Sequence, residues 1–415
     1  MSNGENTEDD GTELHATAET HPGTGAGPDG TEGGEARRTA RRFSRMRRRH
    51  WVILATAVTA LIGSGVTVPV VASGEPDCWE VPASVEELAD APAEATEALD
   101  PGESLFRIDE ASSLLTHDHV CGDGARVLGR MVEAATGAAG KGGPHTMAQA
   151  RSAYAVVAVL SYREIPEGLA PGVARMLAEY PLDVTRGLLW EHHGEEAPAL
   201  PSSAAALDPS GFTRTGRFLS PRDSFAGFAY DSSAGVPHPN LEQLIAELAK
   251  DPVAFATLYD AERARFAYYL EHLTDQGEDP NYRPQKDAED KHSSWVERDL
   301  RQTGENVANL MQNRADHARR GTISDLEAFD AVVRHRTRGT FRPASRRLTS
   351  VQPMGRIAER PVTGPIRGPL MDGRHQLFTV FDRWAELRGV PSERAKVMRQ
   401  LLEDGYVRGL WHTGV

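Results

Sequence analysis

Every sustained apolar pattern in the later part of this 415-residue chain repeats at three and four residues, and none alternates over a length that demands a sheet. Phe255, Leu258, Tyr259, Phe266, Tyr269, Leu270 and Leu273 fall on one helical face. So do Leu377, Phe378, Val380, Phe381, Trp384 and Leu387, followed after Pro391 by Val397, Leu401 and Leu402. Val296, Leu300, Val307, Leu310, Met311 and Ala318 give a thinner stripe on a long polar segment. A period near 3.6 residues gathers such side chains into a stripe that only a neighbouring helix can bury, so the expected fold class is all-α, a helical bundle or array.

Boundary residues agree with that period. Thr146 with Gln149, Ser84 with Glu87 and Ser324 with Glu327 stand in capping-box register, and Ser220-Pro221 and Asp251-Pro252 place a cap residue before Pro at the first helical position. Gly140, Gly194, Gly277, Gly321, Gly389 and Gly405 each follow an apolar run, where a left-handed stop suits glycine.

Charge divides the chain before this helical part begins. The formal net charge is -14, yet residues 1–36 carry nine acids and no bases, residues 37–49 carry eight arginines, and residues 50–74 carry no charge at all. Removing those segments leaves 38 bases and 51 acids, so nothing points to a cationic nucleic-acid binder. Residues 1–36, poor in apolar side chains, read as a disordered acidic tail. Trp51 to Ser73 is apolar and long enough for one crossing of a bilayer. Arg45, Arg47, Arg48 and Arg49 in the 37–50 block and Trp51 at its edge form the anchor flank. The positive-inside rule then keeps the N-terminus cytoplasmic and places the remainder outside. Cleavage of a signal peptide after Val70-Val71-Ala72 is the competing expectation, against which the long lead argues.

The expected organisation beyond the anchor is a spacer over 74–102, a helical extracytoplasmic domain over 103–333, a basic arm over 334–370 and a C-terminal helical pair over 371–415. The stretch Arg334 to Arg367 holds nine arginines against one acid, Glu359, with four prolines and three glycines. It suits contact either with the acidic helices of the same chain or with an anionic lipid or wall polymer. With only Phe341 to stack on bases, nucleic acid is excluded.

The residues that carry chemistry are few. Cys78 and Cys121 are the two cysteines, and an isolated pair in an oxidising compartment is expected to form a disulfide. His117, His119, Cys121 and Asp123 recur at every second position, a spacing that converges only on an extended chain and matches no helical or Cys-x-x-Cys zinc pattern. A polar loop is the expected reading, with His117, His119 and Asp123 as the metal-ligand alternative. His192 and His193 in Trp190–Glu196 suit a helix C-terminus. No Gly-x-Ser-x-Gly, P-loop, His-Glu-x-x-His or dinucleotide fingerprint occurs, so no cofactor and no catalytic residue is assigned.

Two phrases resemble a known family. Ile165-Pro166-Glu167-Gly168-Leu169 runs into Val173 to Val184, and Leu244 to Tyr259 contains Ala249-Lys250-Asp251-Pro252-Val253-Ala254-Phe255. Both are similar to the large helical domain of actinobacterial proteins linked to type VII secretion, often found behind a small WXG-type module. This chain lacks a Trp-x-Gly motif. The resemblance implies an envelope-associated helical scaffold in a high-GC Gram-positive bacterium and supplies no catalytic residues. The expected function is therefore a membrane-anchored helical scaffold or binding protein of the cell envelope, its partners the membrane, another envelope protein or an anionic wall polymer. A wall-active or metal-assisted hydrolase is the alternative.

Overall fold

Helices form wherever the apolar period meets a boundary residue. In a computed structural model that describes residues 78–117, 119–138, 140, 143–188, 197–201, 224–230, 237–275, 295–337 and 372–412, the chain is mostly helical. The elements are α1 (Ala83–Leu88), α2 (Pro92–Leu99), α3 (Ile108–Leu115), α4 (Gly124–Thr136), α5 (Met147–Leu160), α6 (Ala170–Glu179) and α7 (Pro181–Gly187). After β1 (Ala199–Pro201) and β2 (Ser224–Ala226) come α8 (Leu241–Leu248), α9 (Pro252–Asp275), α10 (Trp295–Arg320), α11 (Leu326–Arg336), α12 (Asp372–Arg388) and α13 (Ser392–His412). The two three-residue strands pair antiparallel, Leu200 opposite Phe225, and lie on α5. All described residues belong to one unit, Ala72–Val415.

Two helices organise the core. In α5, Ala150 and every residue from Ser152 to Leu160 are buried, so this helix is apolar on all sides and must be surrounded. Each fully buried Val or Leu contributes about 1.5–3 kcal/mol, which outweighs anything its caps supply. Its start is nevertheless fixed as expected: Thr146 accepts from the Gln149 amide while Gln149 reaches back to the Thr146 N–H. The second organiser is α9, which packs against α6, α7, α10, α11 and α12. Asp251 caps it, its Oδ1 accepting from Val253 N and Ala254 N, both at 2.8 Å.

Several boundaries differ from expectation. Ser84 lies inside α1, and α11 is capped by Asp325, whose Oδ1 accepts from Ala328 N at 2.9 Å, rather than by its neighbour Ser324. The expected spacer 74–102 contains two helices whose Val85, Ala95 and Leu99 belong to the core. Arg334 and Arg336, expected in the arm, end α11, and residues 338–371 lie outside the described residues. Gly321 and Gly389 do adopt the left-handed stop, at φ 77° and 63°. Gly405 does not: it lies within α13, where a Cβ would stand 1.9 Å from Arg301 O, while one on Gly304 of α10 would stand 2.2 Å from Leu402 O. Glycines on both helices let the two backbones touch. A similar crossing joins α4 and α6, where a Cβ on Gly172 would come within 2.3 Å of Gly129 O.

The expected disulfide is present. Cys78 and Cys121 are bonded with their Cα atoms 5.2 Å apart, across 43 residues. A single parallel rung supports the bridge, Trp79 N donating to His119 O at 2.8 Å and Cys121 N to Trp79 O at 2.9 Å. Replacing both cysteines by serine is expected to lower the unfolding free energy by about 2–4 kcal/mol. Urea denaturation of the oxidised protein and the variant measures this, and coincident midpoints would show that the bridge constrains nothing.

The expected single-pass membrane location is corrected. No helix among the described residues is long and apolar enough to cross a membrane. The longest, α9 and α10, interrupt their apolar faces with Asp260, Glu262, Arg263 and Arg265 and with Arg298, Arg301 and Arg314. Trp51–Ser73 and the arginines Arg45, Arg47, Arg48 and Arg49, like the acidic tail 1–36, lie outside the described residues.

Candidate functional site

Four connections between helices wall a cleft of about 1190 Å³. One wall is the α3–α4 loop, with Thr116, His117, His119 and Val120, together with Tyr162 to Glu167 between α5 and α6. The facing wall is the tight α8–α9 corner, Lys250-Asp251-Pro252, and the α10–α11 turn from Thr322 to Asp325. Of the apolar residues along it, Leu160, Ile165 and Phe329 are buried and Val120 and Val332 are half-buried.

The geometry at the α8–α9 corner ties the walls together. Lys250 pairs with Glu247, and its Nζ lies 3.6 Å from Glu164 across the gap, whose side chain is 91% exposed. Glu247 Oε1 also accepts from Ile165 N at 3.1 Å. Burial pushes the Asp251 carboxyl above the usual carboxylate range, against the pull of the Ala254 and Val253 amides, with Glu167 adding to the rise and Arg336 opposing it. Behind this corner stands His317 of α10. Its Nε2 lies 2.7 Å from Ala246 O, and its own carbonyl accepts from Thr322 N at 3.0 Å and Ile323 N at 3.2 Å.

The residues singled out from the sequence are only partly brought here. His117 and His119 line the cleft. The His117 ring stacks on Trp79, centroids 3.6 Å apart and nearly coplanar at 6°, which fixes it as part of the disulfide corner. Asp123 stands before α4 with no side-chain cap bond and is not among the cleft residues, and Cys121 is consumed by the bridge. The alternating spacing therefore does not converge: among the described residues no group of three or more His, Cys, Asp or Glu is placed to hold a metal. Asp118 and the Trp190–Glu196 cluster lie outside the described residues.

Sequence reasoning missed Tyr162, Glu164, Lys250 and Asp325 as lining residues. A signal existed, because each stands at a helix end punctuated by Pro or Gly, and loops carried on rigid helices are where binding groups collect. A second cavity, between α6, α7, α8, α9 and α10, measures about 30 Å³ and holds Glu262, Asn306 and Asn309 against Leu177, Val184 and Leu310. That volume suits a single water and no larger ligand. Compared with known proteins, the chain matches no family model, no curated protein and no solved structure.

Proposed function

We propose that the chain is a helical binding protein whose cleft receives an extended peptide segment of a partner protein. The observation that carries this reading is the cleft itself: about 1190 Å³, walled by four loops and lined by apolar side chains between rims of both charges. A pocket for a single small molecule usually measures roughly 300–1,000 Å³, so the space suits a longer ligand. Lys250, Glu164 and Glu167 would meet charged side chains of either sign, Tyr162 offers a half-exposed ring, and the half-buried Val120 and Val332 would take an apolar anchor. The likeness of Ile165–Val184 and Leu244–Tyr259 to helical domains of secretion-associated proteins belongs to the same proposal, and it favours a protein partner.

Selection from a random-peptide display library against the full chain tests the reading. Selected peptides are expected to lose affinity by about tenfold or more, roughly 1.4 kcal/mol, when titrated against Tyr162→Ala or Lys250→Glu. Equal affinity for both variants, or a library that yields no binder, would sink the proposal.

A further inference from the structure

His317 touches both elements of one cleft wall. Its ring holds the α8–α9 corner through Ala246 O, and its carbonyl holds the α10–α11 turn through Thr322 N and Ile323 N. Lys250 and Asp251 follow from the first element, and Thr322 and Ile323 line the cleft from the second. We propose that His317 is a proton-operated latch: with a neutral ring it keeps the corner and the turn in register, and protonation at Nδ1 releases them and loosens the cleft. The proposal rests on the peptide-binding reading of that cleft.

The chemistry follows from the two ring nitrogens. A carbonyl oxygen only accepts, so Nε2 carries the proton in the contact with Ala246, and Nδ1 is left with a lone pair. Nδ1 is buried and has no hydrogen-bond partner, in a residue only 6% exposed. A neutral ring tolerates this, because an unfilled lone pair on a weakly basic nitrogen is a modest loss. A second proton changes the situation twice over. It creates a buried N–H with no acceptor, and it places a positive charge where water does not reach.

The surrounding charges do not relieve it. On α8, Glu247 is the favourable neighbour, but it is already engaged by Lys250 and by Ile165 N, and Lys250 itself repels an imidazolium. Arg320 on the same helix repels it as well. The other ionised groups of this region are paired among themselves: Asp316 with Arg319 on α10, Arg314 with Asp330 between α10 and α11, and Asp260 with Arg263 on α9. Burial, foremost, therefore holds the His317 ring below the ordinary histidine range, with the Ala246 carbonyl pulling the other way. A histidine depressed in this way binds fewer protons in the closed structure than in an opened one. Closure is thus fully stable above the ordinary value of about 6.5 and weakens as pH falls through it toward the lower folded value, below which the loss levels off.

Deuterium exchange of the full chain, followed from about pH 7.5 to about pH 5 and corrected for intrinsic rates, reads the latch without any ligand. In the wild type, protection of segments 241–252 and 317–325 is expected to fall several-fold on acidification. In His317→Gln it should stay level, because the amide still donates to Ala246 O and does not titrate. Arg320→Gln, at an exposed position, should move the midpoint to higher pH and serves if the first variant does not fold. A wild-type profile that is flat, an equal fall in His317→Gln, or an unmoved midpoint in Arg320→Gln would each overturn the latch, the second by assigning the titration to Asp251 or another carboxyl. Because exchange needs no peptide, failure to select a binder counts against the cleft's function and leaves this measurement intact. Peptides that bind the cleft with the same affinity across this pH range sink the latch alone.

Discussion

Arg314→Met is expected to destabilise the protein by about 3–5 kcal/mol. Arg314 and Asp330 face each other with side chains that are each 2% exposed, Nε donating to Oδ1 at 2.9 Å and Nη2 reaching both carboxylate oxygens. The guanidinium also stands 5.8 Å from the centre of the Phe329 ring. Burial raises the Asp330 carboxyl above its ordinary range even though Arg314, and to a smaller degree Arg334, pull it down. Desolvation therefore already outweighs attraction in the intact pair. Removing the guanidinium while keeping a side chain of similar length leaves the carboxyl with the full cost of its burial. The double variant Arg314→Met with Asp330→Leu is expected to recover most of the loss, since neither charge then needs a partner. Urea denaturation of the single and double variants decides the matter. A double variant no more stable than the single would mean that the pair contributes packing and not electrostatic compensation.

Gly405→Ala is expected to show the opposite of what its position in a helix suggests. Alanine in place of glycine within a helix is ordinarily worth about 1 kcal/mol of added stability. Here the new methyl would lie 1.9 Å from Arg301 O and 2.6 Å from Arg301 Cα, both backbone atoms that cannot rotate aside. The two helix axes must separate, and overpacking of this kind costs about 1–3 kcal/mol, so after the helix gain a net loss of up to about 2 kcal/mol is expected. The α10–α13 contact is the most extensive helix pairing among the described residues, so the loss should appear in global thermal unfolding and not as local fraying. A melting temperature equal to or above that of the wild type would show that the crossing tolerates a side chain.

The difference between Gly405 and Gly389 also shows what the sequence can reveal. Both follow an apolar run, and both look like helix stops. Gly389 is one, at φ 63°, whereas Gly405 is a contact point whose reason lies on α10. Local pattern contains the first kind of information and not the second. The same distinction explains α1 and α2, whose Pro, Ala and Glu composition resembles a linker until α4 covers Val85 and Leu99. Helices with continuous stripes, α9, α10, α12 and α13, were legible because their own residues state the period. The cleft was less so. Its walls come from four loops far apart in the chain, and no single window contains them. The alternating His117, His119 and Asp123 mark a loop of which His117 and His119 line the cleft, and stacking on Trp79, not ligand convergence, sets the His117 ring. The apolar run Trp51–Ser73 suggested a membrane location that no helix among the described residues bears out.

The glycine crossing has a consequence for biosynthesis. During vectorial synthesis α10 leaves the ribosome well before Ser392–His412 is made, so its glycine-bearing face must wait bare for a helix that arrives late. Until then the most extensive helix pairing among the described residues is missing, and the nascent chain presents Gly304 and Ala308 to its surroundings. A stop codon that removes α13 would therefore produce more than a shortened protein. It would release a chain with the docking face of its longest helix uncovered, which holdase chaperones and proteases recognise by the same exposed backbone and apolar surface that α13 normally hides.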